Sequence, residues 1–326
     1  MNFNKIHIDS FVKIGCSLHL VGREHQFDNI DNYPQITKSI IPHFFYPEHS
    51  LGALINRIIY VLSLIWVRFK FNFSKFDLII VPTYDPLSIF VLKSKVNTIL
   101  ITHDGHYLDN KIKRFCVRLT PRHYIHVGLS EEMTLHIKNM LGDRKVAFVP
   151  HGLCGMPSEF QRPTFLEGCN KYVFCPINRL FEQDFVERIF SDIKFETYLK
   201  ENGLKLVVKK NLLRNVDSES VIVIENNLSK KEYDYLIKNS VAVILPYFKE
   251  YKYRCSGIMF ECVVCDTPVL ATRLDAWNYL QNRINLYMFE TANELVDGLV
   301  FFGKNGIAPV DKSSFDPKPY WLSVIS

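Results

Sequence analysis

Residues 241–271 read VAVILPYFKEYKYRCSGIMFECVVCDTPVLA. The first five are apolar without interruption, as in a strand buried on both faces, and Pro246 ends them. A polar and aromatic loop follows. Ser256 then stands directly before an apolar run of helical length, the place of an N-cap, and Gly257 lets a ligand approach the backbone closely. Free N–H groups and the positive end of the helix dipole converge at such a helix start, which suits a phosphate group. Arg254 adds a planar cationic donor, and Glu261, one turn on, offers a carboxylate of the kind that accepts from ribose hydroxyls in nucleotide folds. Taken alone, a serine cap opening a helix is an ordinary structural device and shows an anion site at most.

Outward from this stretch, short β-branched runs alternate with amphipathic ones. Strands are predicted over 77–82, 98–102, 124–128 and 146–150, then over 172–176, 204–208, 221–224, 241–246 and 268–272. Helices are predicted over 51–71, 111–119, 131–141, 182–193, 230–239, 257–265 and 292–302. This alternation is that of α/β units with parallel sheets wrapped by helices. A chain of 326 residues is long for one core and suits two domains. The expected division is an N-terminal Rossmann-like domain over 1–165 and a second over 166–305. A tail over 306–326 is expected to pack back on the first domain. The glycine- and proline-bearing segment 151–170 is read as a linker. At the start, residues 6–11 and 17–21 are a strand and a helix in either order.

Composition narrows the class. Hydrophobic residues make up 48% and charged residues 22%, which excludes a disordered or collagenous chain. The eight cysteines are scattered, and no secretory signal precedes them, so a reducing cytoplasm is expected. Cys262 and Cys265 form a C-x-x-C pair without two further ligands at similar spacing, and core packing is the favoured reading. Residues 1–160 hold 18 basic and 13 acidic side chains, whereas 161–326 hold 21 of each. The surplus therefore lies in the first half, partly as Lys111, Lys113, Arg114, Arg118 and Arg122, interleaved with apolar residues. Such a segment can meet anionic lipid head groups, while no recognition module for nucleic acid is readable. The longest apolar run, 51–69, is broken by Asn56, Arg57 and Arg68. It is read as a buried or membrane-surface helix, not as a span.

Several segments resemble the retaining GT-B glycosyltransferases of the family 4, or group 1, type. The resemblance rests on a strand ending in proline, Ser-Gly, a helical Glu and Thr-Pro-Val within 241–271, and on ILITHDGHYL (99–108). It rests also on GLSEEMTLHIKNMLGDRKVAFVPHGL (128–153) and FCPINRLFEQDFVERIF (174–190). It covers roughly residues 75–285. It implies two Rossmann-like domains facing a cleft, transfer with retention, and no catalytic metal or cofactor, with a UDP- or GDP-sugar as substrate. By position, Ser256 and Gly257 would hold the donor phosphates with Arg254 and Arg179. Glu261 would bind the ribose, and Leu228 and Ser229 the base. His103 and Asp104 would face the reacting sugar. The family's loop carboxylate falls eight residues before the helical Glu, where this chain has Tyr253, so Glu250 is the candidate to replace it. The Tyr-x-x-Arg-x-Ser-Gly form resembles a branch of bacterial polysaccharide assembly, lipopolysaccharide or capsule. That branch implies a glycan or lipid-linked acceptor and a peripheral place on the inner face of the plasma membrane, reached through the basic first domain. Two other readings stand beside it: a sugar-nucleotide epimerase on the same fold, and a non-catalytic partner subunit.

Overall fold

The computed structural model describes residues 3–28, 30, 32–45, 52–177, 183–213, 218–224 and 227–326. The chain forms two compact units, one made of Asn2–Gly152 with Tyr253–Cys255 and Phe315–Ser326, the other of Leu153–Lys252 with Ser256–Ser314.

In the first unit the order is α1 (Phe3–Ile14), β1 (Leu18–Gly22), β2 (Ile36–Ile40), α2 (Ala53–Lys70), β3 (Leu78–Val81), β4 (Asn97–Thr102), α3 (Lys111–Arg118), β5 (Ile125–Gly128), α4 (Glu131–Leu141) and β6 (Lys145–Phe148). Strands β3 to β6 form a parallel sheet in sequence order, and β1 pairs with β2 in a small parallel sheet of its own. Ile99, Leu100 and Ile101 of β4 are almost wholly buried, as a central strand covered on both faces requires. Helix α4 begins where Ser130 accepts the Met133 N–H (3.1 Å) and ends at Gly142, whose positive φ closes it. Gly128 ends β5 beneath α4, and a Cβ there would stand 2.8 Å from the Thr134 backbone.

The second unit runs β7 (Tyr172–Cys175), α5 (Gln183–Phe190), α6 (Ile193–Glu201), β8 (Lys205–Lys209), β9 (Val221–Ile224), α7 (Lys230–Asn239), β10 (Val243–Leu245), α8 (Gly257–Cys265), β11 (Val269–Thr272), β12 (Leu286–Phe289) and α9 (Ala292–Asn305). Its six strands are all parallel, in the order β12-β11-β10-β7-β8-β9. Counted from β7, this is the doubly wound 3-2-1-4-5-6 arrangement. The last helix, α10 (Lys318–Ile325), belongs to the first unit, where the buried Trp321 ring lies against Phe11 of α1 (4.9 Å).

Of the two orders open for the beginning of the chain, helix then strand is the one observed. The helix expected over 182–193 ends at Phe190, and Asp192, which accepts the Lys194 N–H (2.9 Å), caps a further helix that the sequence reading did not include. Strands β2 and β12 and helix α10 were not read at all. The ITKSI of β2 alternates weakly, LYMF of β12 lies at the sheet edge and is half-buried over its first two residues, and α10 follows the turn residues Asp316 and Pro317.

Candidate functional site

Ligands of doubly wound sheets bind outside the carboxyl ends of the strands, where the winding reverses. In the second unit the reversal lies between β7 and β10. The segment leaving β10 runs through Tyr247 to Ser256, and α8 starts there. Ser256 is 2% exposed, and its Oγ accepts the Met259 N–H (3.3 Å) and lies 2.6 Å from the Tyr247 hydroxyl. Tyr247 is held firmly: its carbonyl accepts the Thr272 hydroxyl, its ring stacks on Tyr251 (3.9 Å), and Trp277 flanks it at 5.7 Å. Burial pushes the Tyr247 phenol well above the ordinary tyrosine range, so it stays a protonated donor. The first N–H groups of α8 have no partner within the helix by geometry alone, which leaves donors at Gly257 and its neighbour for an anion.

Four residues further along α8, Glu261 Oε2 accepts the Tyr233 hydroxyl (3.0 Å), which ties α8 to α7. Burial, and next the Glu261 charge, raise the Tyr233 phenol strongly. Ser229 opens α7 through a reciprocal capping box. Its Oγ accepts the Glu232 N–H (3.2 Å) and its N–H donates to Glu232 Oε2 (2.9 Å). Leu228 before it is half-buried. Glu250 falls in the 3-10 turn Lys249–Tyr253 and Arg179 in the segment after β7; the Glu250 side chain and all of Arg179 lie outside the described residues. Cys262 and Cys265 are buried in α8, their thiols raised by burial. Among the described residues no three His, Cys, Asp or Glu side chains gather as metal ligands.

In the first unit, β4 delivers His103 and Asp104. A carbonyl can only accept, so the 2.7 Å contact of His103 Nε2 with the Pro82 oxygen places the proton on Nε2 and makes Nδ1 the acceptor. Burial lowers the His103 pKa, which keeps the ring neutral. By the same reasoning His151 carries its proton on Nδ1, donating to the Gly152 carbonyl (3.1 Å). His7 accepts the Trp321 indole N–H at Nδ1 (2.9 Å). Burial first, and then the neighbouring His151 and His103, hold His7 well below the histidine range; burial holds His151 at about 4.

Asp104 caps the turn Gly105–Asp109 by accepting the His106 N–H (3.0 Å), and its other oxygen accepts Arg254 Nη2 (2.6 Å). The same two residues form an antiparallel bridge. Tyr253 stacks flat on His136 (3.6 Å, 10°), whose Nε2 meets Asp109 at 3.3 Å; Asp109 also pairs with His106 at 2.8 Å.

The structure thus groups Ser256, Gly257, Glu261, Leu228 and Ser229 in one unit, and His103, Asp104 and Arg254 in the other. Arg254, read in the sequence as a phosphate ligand, has its guanidinium on Asp104. Sequence reasoning missed Tyr247, Tyr233 and the His136 seat of Tyr253. The aromatic density of YFKEYKY was the available signal, but it does not say which hydroxyl reaches Ser256.

No protein-family model and no curated protein matches the chain. Solved structures do match in fold. A trehalose-6-phosphate synthase is similar over 98% of this chain and 93% of its own, at 10% identity and a TM-score of 0.65. Sucrose-phosphate synthase from Thermosynechococcus elongatus is similar over 97% and 88%, at 10% identity and 0.63. An E. coli structure described as trehalose-6-phosphate bound with UDP-2-fluoro glucose is similar over 98% and 91%, at 9% identity and 0.63. At such identities the likeness concerns the fold: this chain has the parallel α/β architecture of GT-B glycosyltransferases.

Proposed function

We propose that the chain is a glycosyltransferase that moves a sugar, with retention, from a UDP- or GDP-sugar to a growing, lipid-linked bacterial surface glycan. The observation that carries this reading is the seat of Ser256. A capped helix is the next α-helix after the strand at the winding reversal, in a fold whose solved counterparts include a sugar-nucleotide complex. In this reading the α8 N–H groups and the Ser256 hydroxyl hold the donor diphosphate. As the glycosidic bond breaks, negative charge grows on the leaving phosphate, and fixed donors neutralise it without reorganising. Arg254 contributes once it exchanges Asp104 for the phosphate, and Arg179 from the loop after β7 adds to it. Glu261 accepts from the ribose and the Leu228–Ser229 turn receives the base. His103 and Asp104 orient the reacting sugar and acceptor, and Glu250 takes the part of the missing loop carboxylate. The basic first half suits an anionic membrane surface on the cytoplasmic side, where a lipid-linked acceptor is presented.

Thermal-shift screening against UDP-, GDP- and CMP-sugars tests the reading. A ligand present at 100 times its Kd adds about 2.7 kcal/mol to the folded state. A melting temperature unmoved by every sugar nucleotide at millimolar concentration sinks it. Donor incubated without acceptor should yield no isomeric sugar nucleotide; its accumulation marks an epimerase instead.

A further inference from the structure

Helix α2 presents its apolar side outward. Leu54, Ile58, Leu62 and Phe69 recur at helical spacing on one face and are between 41% and 84% exposed. Its opposite face is the buried one, with Ser63 and Leu64 in the core. Helix α3 repeats the arrangement: Ile112, Phe115 and Leu119 stand at i, i+3 and i+7, between 47% and 69% exposed, while Val117 is fully buried. Leu64 and Val117 enter one core cluster with Ile89, so both helices rest on the same part of the first unit. An ordinary surface helix turns such a stripe inward. Two outward stripes in one unit are a surface with an occupant.

Charge identifies that occupant. Helix α2 carries Arg57, Arg68 and Lys70, α3 carries Lys111, Lys113, Arg114 and Arg118, and neither contains an acidic residue. A second copy of this chain would bring like charge against like charge. An interface of anionic lipid head groups over hydrocarbon complements both features at once. We propose that α2 and α3 form a two-helix platform that seats the first unit on an anionic bilayer, the apolar stripes entering the head-group boundary and the basic side chains meeting lipid phosphates. It deepens the proposed function, resting on it only for the lipid-linked acceptor.

Sedimentation of the full chain with vesicles of phosphatidylcholine, alone or mixed with phosphatidylglycerol, tests the platform without any donor. Binding to the mixed vesicles should be tighter by roughly tenfold or more, and should weaken at high salt. The double substitution Ile58→Glu with Leu62→Glu should reduce it about tenfold or more, and Lys111→Glu with Lys113→Glu by at least roughly fivefold per site. Both variants should keep the wild-type melting temperature, because Ile58, Leu62 and Lys111 are exposed and Lys113 is only half-buried. Three results each overturn the platform: no binding to anionic vesicles, equal binding to neutral ones, or a self-association abolished by the Ile58 and Leu62 changes. Nucleotide-sugar thermal shifts on the same samples keep the two proposals apart. Shifts retained with no vesicle binding remove the platform alone, and vesicle binding with no shift removes the transferase reading alone.

Discussion

The hydroxyl of Ser256 has two acceptor positions and one proton. The Met259 N–H takes one acceptor position, and Tyr247, only 2.6 Å away and kept protonated by burial, fills the second when it donates. An anion at the helix start would fix that direction, since Ser256 must then donate outward. Replacing Tyr247 by Phe should weaken UDP or GDP binding roughly tenfold, the worth of one hydrogen bond in a small network. Calorimetric titration of the nucleotide checks this, and an unchanged Kd disproves it. Arg254→Ala and His103→Ala should each abolish turnover while the fold persists; full rates in both would remove the site assignment. His126 makes a different claim. It is fully buried on β5, neither ring nitrogen has a hydrogen-bond partner among the described residues, and burial drives its pKa to about 3. An apolar His126→Leu should therefore raise the melting temperature. His126 and His151 also set a pH dependence. Unfolded, each binds a proton near pH 6.5; folded, only near 3 and 4. The unfolded chain thus holds more protons in between, and stability is complete above about 6.5 and lost progressively as the pH falls toward 4. For His151 the loss is of order 3 kcal/mol. Urea midpoints from pH 7.5 to 4.5 read it directly.

Helix starts were the most legible feature at the scale of elements. Ser256 was visible as a polar cap abutting an apolar run, and Ser130 and Ser229 likewise stand one residue before helices whose expected starts, 131 and 230, are the observed ones. The central strands were equally plain, since burial on both faces writes an unbroken apolar run. What escaped depends on tertiary partners. Helix α1 and strand β1 could not be ordered without the Trp321 ring that covers Phe11, and β12 is an edge strand whose first two residues are only half-buried, so it writes no fully buried run. The site divides the same way. A helix start that suits an anion can be inferred from order alone, whereas Tyr247, behind Ser256, shows locally only as one of several aromatics, and Tyr233, behind Glu261, comes from α7 and leaves no trace near it. Packing at β5 yields a sharp expectation. A Cβ at Gly128 would press within 2.8 Å of the Thr134 backbone, which α4 cannot withdraw without losing its cap. Gly128→Ala should cost about 3 kcal/mol, measured by urea unfolding, and a loss below about 0.5 would show that α4 slides freely.

The whole molecule is built from a continuous second unit, apart from Tyr253–Cys255, and a first unit assembled from three separated stretches. Trp321 closes the first unit. It has no exposed surface, packs on Phe11 and gives its indole proton to His7, a residue 314 positions earlier in the chain. Trp321→Ala should remove about 3–5 kcal/mol from that unit. Differential scanning calorimetry should then show an early transition that the wild type lacks. During synthesis the consequence is a long wait. The first unit is begun first, yet its apolar α1 face stays uncovered while the whole second unit is made, because α10 follows residues 153–314 in the chain. A purified chain ending at residue 314 should accordingly yield a protease-resistant fragment from the second unit and a digestible first one.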